Sequence, residues 1–91
     1  MIVVHLPRNL AEELGAPTTA RLEPEPNVAA VIGRLEALYP GARRRLTEAD
    51  GVLRPHLAVF VDEVDTRRAG GLQAAVPDGA EVWFLRAISG G

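Results

Sequence analysis

The chain has 91 residues, 47% of them hydrophobic, and a formal net charge of -2, which is enough for one globular domain and too little for two. It contains no cysteine, which excludes disulfides, thiolate metal sites and a cysteine nucleophile. The slight acidity gives no electrostatic reason to bind nucleic acid or an anionic membrane.

Ile2 to Leu6 is a short β-branched run stopped by Pro7 and predicts a strand. Met1 to His5 has neither the basic start nor the cleavage site of a secretory leader, and no apolar run approaches the roughly 20 residues that span a bilayer, so a cytoplasmic protein is expected. Asn9 to Leu14 is expected to make one or two helical turns, with Asn9 as N-cap and Gly15 as stop. Thr18 to Leu22 predicts a second strand, ended by Pro24 and Pro26.

The strongest periodicity follows. Val28, Val31, Ile32, Leu35, Leu38 and Tyr39 fall on one stripe of a helix, with Asn27 as a suitable N-cap and Pro40-Gly41 as the end. Val31, Ile32, Leu35 and Leu38 are therefore expected in the core. Ala42 to Leu46 predicts a further turn with Arg43, Arg44 and Arg45 in solvent, where they complement the helix dipole. Leu57 to Val61 is a third strand, and Asp62-Glu63-Val64-Asp65 the turn of a hairpin with a short return. Gly70-Gly71 and Pro77-Asp78-Gly79 are loop signals, with a tight turn between them at Leu72 to Val76. Glu81 to Ala87 is the last strand, and Ile88-Ser89-Gly90-Gly91 follows as a tail.

This order predicts an α+β two-layer domain: a mixed sheet of four to five strands packed on one main helix, with the first and last strands parallel at its centre. The domain covers residues 1–87 and the flexible Gly-Gly tail residues 88–91.

The last third of the chain carries a resemblance that extends, more weakly, over its whole length. Gly70-Gly71-Leu72, then Pro77-Asp78-Gly79-Ala80-Glu81-Val82, then Trp83-Phe84-Leu85 and finally Ile88-Ser89-Gly90-Gly91 are similar to the corresponding parts of the ubiquitin-like β-grasp carriers of the MoaD/ThiS type. The stretch Asp65-Thr66-Arg67-Arg68-Ala69-Gly70-Gly71-Leu72 resembles the CysO-like branch, which supplies sulfur for cysteine synthesis. Arg86-Ala87 departs from the prolines that many molybdopterin-type members carry before the tail.

The resemblance implies a carrier and co-substrate rather than an enzyme. An E1-like adenylating enzyme would use ATP to activate the carboxylate of Gly91. Sulfide, or a persulfide followed by a thiol that reduces the resulting acyl disulfide, would then displace AMP and leave a thiocarboxylate. No cofactor is bound in this scheme. The acceptor would be a cysteine-synthase-like enzyme or the large subunit of molybdopterin synthase, and a metalloprotease would process the tail. Alternatives are the small subunit of molybdopterin synthase, a ubiquitin-like protein modifier and a plain interaction module.

Glycine suits such a tail because, without Cβ atoms, Gly90 and Gly91 can thread a narrow cleft. Four extended residues reach roughly 14 Å, enough to deliver the terminal carbonyl into a partner. Gly70-Gly71, the same dipeptide in mid-chain, reads as a turn.

In the last strand, alternation puts Val82 and Phe84 on one face and Trp83 and Leu85 on the other. The first pair is expected over the helix. The second, extended by Phe60, is expected on the open side as a partner-binding patch. His5 and His56 have no cysteine or paired carboxylate at ligand spacing and are expected in structural or surface roles. Asp62, Glu63 and Asp65 lack the glycine and glutamate of a calcium loop and read as a solvated turn. No metal site is expected, and Ser89 reads as a small tail residue with no base beside it.

Overall fold

The computed structural model describes residues 1–86. In chain order it contains β1 (Ile2–His5), α1 (Arg8–Leu14), β2 (Thr19–Leu22), α2 (Val28–Leu38), α3 (Ala42–Leu46), β3 (Leu57–Val61), β4 (Val64–Asp65) and β5 (Glu81–Arg86). Single 3-10 turns stand at Thr66–Arg68 and Gly71–Gln73. The five strands form one sheet in the order β2-β1-β5-β3-β4. β1 and β5 are parallel and the other neighbours antiparallel. The last strand is thus inserted between the first and third, as the apolar content of residues 82–85 requires of a central strand.

Alternation decides which side chains enter the core. Ile2 and Val4 of β1, Val59 of β3, and Val82 and Phe84 of β5 are all fully buried on the helix side. Val28, Val31, Ile32 and Leu35 of α2 meet them there, with no more than 2% of each exposed. Asn27 caps α2 as expected, its Oδ1 accepting from the Ala30 N–H at 2.9 Å. The segment after Gly70 packs on this helix start: Val28 N–H donates to Ala74 O and Val76 N–H to Pro26 O, and both Ala74 and Val76 are buried.

Three details differ from the sequence reading. Leu38 is 51% exposed. It is the last residue of α2 and stands roughly 60° from the centre of the apolar stripe at 100° per residue. Tyr39 leaves the helix with φ -132° and packs on the core in its place. Asn9 is not the N-cap of α1: the helix starts at Arg8 with Pro7 at the cap position, and no side chain caps it. The fixed φ of Pro7, -59°, carries the chain from strand into helix without that help. The tight turn placed at Leu72 to Val76 falls earlier, at Gly71–Gln73, after which the chain extends and Ala75 bridges Asn27.

Gly15 ends α1 in the left-handed region at φ 66°, as its stop role requires. Gly70 and Gly71 form the expected turn, at φ 98° and 62°. At Gly41, φ is 102° and a Cβ would stand 2.7 Å from Arg45 Nη1, so glycine is needed there on two counts. The carboxylate of Glu36 accepts from the N–H groups of Gly41 and Arg43 and so takes the place of a capping side chain at the start of α3. Among the described residues, no helix is long and apolar enough to cross a membrane.

Candidate functional site

With every helix-facing position of the sheet filled, the odd-numbered residues of β1, β2 and β5 form its open side. Strand register lines up one row across all five strands: Thr19 beside His5, His5 beside Trp83, Trp83 beside Phe60, and Phe60 beside Asp65. The next row toward the end of β5 pairs Leu85 with Ala58. Leu85 is 41% exposed, while Trp83 and Phe60 are half-buried. All three therefore lie on the face expected from alternation, and the sheet brings Trp83 and Phe60 directly opposite each other.

The half-burial of Trp83 has a specific cause. The imidazole of His5 stacks on the indole, with ring centroids 3.6 Å apart and planes 14° apart. His5 is held in turn by Glu81, whose Oε1 lies 2.8 Å from Nε2, and by Thr19, whose Oγ1 lies 3.3 Å from Nδ1. A carboxylate can only accept, so Nε2 carries the proton in this pair. In the neutral ring Nδ1 then accepts from the Thr19 hydroxyl. His5 takes the structural one of the two roles expected of it, through partners that the sequence reading did not name. A carboxylate 76 positions away is paired with it, and the only signal for that in the sequence was the expected parallel pairing of the first and last strands. Without the register, that pairing does not identify the partner.

The acidic stretch 62–65 lies at the opposite end of β3 from the Leu85 pairing. Asp62, in the left-handed region at φ 54°, joins the end of β3 to the start of β5: its N–H donates to Glu81 O and its Oδ1 accepts from Glu81 N–H. Asp65 is bound by Arg67, which holds its carboxyl below the usual aspartate range. These bonds make the acidic stretch at 62–65 the hairpin turn expected of it. No group of three or more metal-ligating side chains occurs among the described residues. His56 is exposed beside β3, and Arg43 and Arg44 are exposed as expected. Arg45 is not fully in solvent: it is half-buried and pairs with Glu13 at 3.0 Å.

Ile88, Ser89, Gly90 and Gly91, and with them the boundary set at residue 87, lie outside the described residues. What the structure fixes is their root. β5 ends at Arg86, so Gly91 is the fifth residue after the central strand. The two open-face residues Trp83 and Leu85 are on that same strand.

A mixed sheet with parallel first and last strands, wrapped on one side around a single long helix, defines the ubiquitin-like β-grasp fold. The family model described as the ThiS family matches residues 4–91, and the chain belongs to that family. It is 41% identical over 64 residues to the sulfur carrier protein CysO of Mycobacterium tuberculosis, an alignment covering 68% of this chain and 69% of the relative. The crystal structure of M. tuberculosis CysO superposes with a TM-score of 0.88 at 31% identity, covering 97% of this chain and all of the other. The CysO fold in the BexX/CysO complex of Amycolatopsis orientalis superposes equally well, with a TM-score of 0.88 at 28% identity over the whole of both chains.

Proposed function

We propose that this chain is a cytoplasmic sulfur carrier whose Gly91 carboxylate becomes a thiocarboxylate. The observation that supports this most is the match of the ThiS family over residues 4–91, which includes both the open-face strand and the Gly-Gly tail. The carboxylate is a poor electrophile. An E1-like enzyme activates it: a carboxylate oxygen attacks the α-phosphorus of ATP, pyrophosphate leaves, and an acyl-adenylate forms. Sulfide then attacks the acyl carbon, a C–S bond forms, and AMP leaves with the acyl oxygen. The chain supplies the reacting carboxylate and the surface by which it is recognised. ATP belongs to the activating partner.

The relatives named as CysO favour cysteine or a closely related sulfur metabolite as the destination, through a cysteine-synthase-like acceptor. A relative solved in a complex with a protein named BexX supports a fold that works by docking on another protein. Here the docking face is Trp83, Leu85 and Phe60, on and beside the strand that leads to the tail. Five extended residues reach at most roughly 16–18 Å, so a partner that takes Gly91 into its active site must also meet the end of β5. The test is pyrophosphate release by an E1-like enzyme of a CysO pathway, with ATP and this chain. Release that requires the chain and disappears on deletion of Gly91 supports the reading, and release indifferent to Gly91 refutes it.

A further inference from the structure

Beyond the open face, the tail root has a second side. Arg86 has the same parity as Val82 and Phe84, so it stands on the helix side of the sheet, just past the core. There it lines a groove of about 490 Å³ together with Arg44 and Arg45 of α3, and Arg54 and His56 ahead of β3. Four guanidinium groups and an imidazole thus converge on one concavity, in a chain whose formal charge is -2. The one carboxylate in the lining, Glu13, is occupied by Arg45. Arg54 is anchored, donating through Nε and Nη2 to Arg44 O at 2.9 and 2.7 Å and through Nη1 to Glu48. Among the described residues no ion pair is formed by Arg44 or Arg86.

We propose that this groove binds an acidic segment of the E1-like enzyme that activates the tail. The proposal rests on the carrier reading for the identity of that protein. Three features support a protein carboxylate as occupant. The guanidinium fork matches a carboxylate in two-point geometry, and the four cationic side chains of the groove other than His56 are all arginine, with no lysine among them. The groove adjoins the end of β5, so any enzyme that grips the tail comes within reach of it. Trp83 and Leu85 lie on the opposite side of the same strand. A partner straddling the tail root therefore meets an apolar face on one side and a basic groove on the other. The first supplies burial and the second supplies orientation and rate of encounter.

The test has two arms, both on the full chain. In the first, a blocked oligoglutamate peptide is titrated while the arginine Nε–H resonances are followed by NMR, with inorganic phosphate and a single-stranded oligonucleotide as competitors. Shifts at Arg44, Arg54 and Arg86 that vanish in R44E/R86E support the proposal. No shift with the peptide, or displacement of the peptide by phosphate or oligonucleotide at lower concentration, overturns it. In the second, ATP-dependent adenylation of wild type, R44Q/R86Q and R44E/R86E is compared with an E1-like enzyme of a CysO pathway, with circular dichroism to confirm that each variant is folded. KM is expected to rise roughly tenfold or more on charge reversal and less on neutralisation, with kcat unchanged, and the wild-type KM to rise with added salt. Equal KM values for all three overturn the groove and leave the carrier reading standing. Peptide binding at the arginines without adenylation of the wild type removes the carrier reading and keeps the groove as a carboxylate-binding surface.

Discussion

The imidazole of His5 lies almost flat on the indole of Trp83, 3.6 Å between ring centroids, although the two residues belong to the first and last strands of the chain. The parallel pairing of β1 with β5 puts them side by side, and Glu81 and Thr19 hold the imidazole in place. The stack covers one face of the tryptophan and fixes its rotamer. The large side chain on the open sheet is thereby preorganised before any partner arrives, which lowers the ordering cost of docking.

His5→Ala is expected to release that constraint. The emission of Trp83, the one tryptophan in the sequence, should shift to the red as the ring gains solvent. Thermal stability should fall by about 0.5–1.5 kcal/mol, the range of an aromatic pair. An unchanged spectrum would show that the stack does not order the indole in solution.

Trp83→Ala is expected to weaken binding to the E1-like partner by about 1–2 kcal/mol, in the range of an interface anchor. Folding stability should change by less, because the helix-side residues Val82 and Phe84 carry the core of that strand. A calorimetric binding titration beside a denaturation curve separates the two effects. Unchanged affinity with a large loss of stability would move Trp83 into the core and the docking face elsewhere.

Leu35 and Leu38 make a matched pair on one helix, 1% and 51% exposed. Leu35→Ala should cost about 2–5 kcal/mol through lost burial and the cavity left behind. Leu38→Ala should stay within roughly 0.5 kcal/mol, as expected at an exposed site. Equal losses in chemical denaturation would contradict the packing of the last turn of α2.

Glu36 should make α3 sensitive to acid. Hydrogen bonds from the N–H groups of Arg43 and Gly41 hold its carboxyl below the usual value of 4.5. A group with a depressed folded pKa contributes stability that is complete above the unfolded value and lost as pH falls through the folded one. Glu36→Gln should therefore lower the denaturation midpoint near neutral pH, and the gap from wild type should close on acidification below 4.5. A gap constant with pH would show that the carboxylate charge plays no part in capping α3.

The elements whose evidence is local were legible in the sequence. The stripe from Val28 to Leu35, the Asn27 cap and the run Leu57 to Val61 each announce themselves by periodicity or residue type, and β3 has the bounds expected of it. Alternation along residues 82–85 was enough to sort Val82 and Phe84 from Trp83 and Leu85. What the sequence did not carry was strand register. His5, Thr19, Trp83, Phe60 and Asp65 form one row only because four pairings place them there. The same is true of the basic groove. Arg43-Arg44-Arg45 reads as a solvated helix end, and only the fold brings Arg54 and Arg86 to Arg44 and Arg45.

Conversion of the Gly91 carboxylate to a thiocarboxylate exchanges one atom, and intact mass spectrometry reads that exchange. The chain is incubated with ATP, an E1-like enzyme of a CysO pathway and sulfide, then desalted and weighed. The expected result is a mass gain corresponding to one sulfur in place of one oxygen, located at Gly91 by fragmentation, dependent on ATP and absent when Gly91 is deleted. An unchanged mass while a known carrier is converted under the same conditions, or a sulfur located anywhere other than the C-terminal carboxyl group, would contradict it.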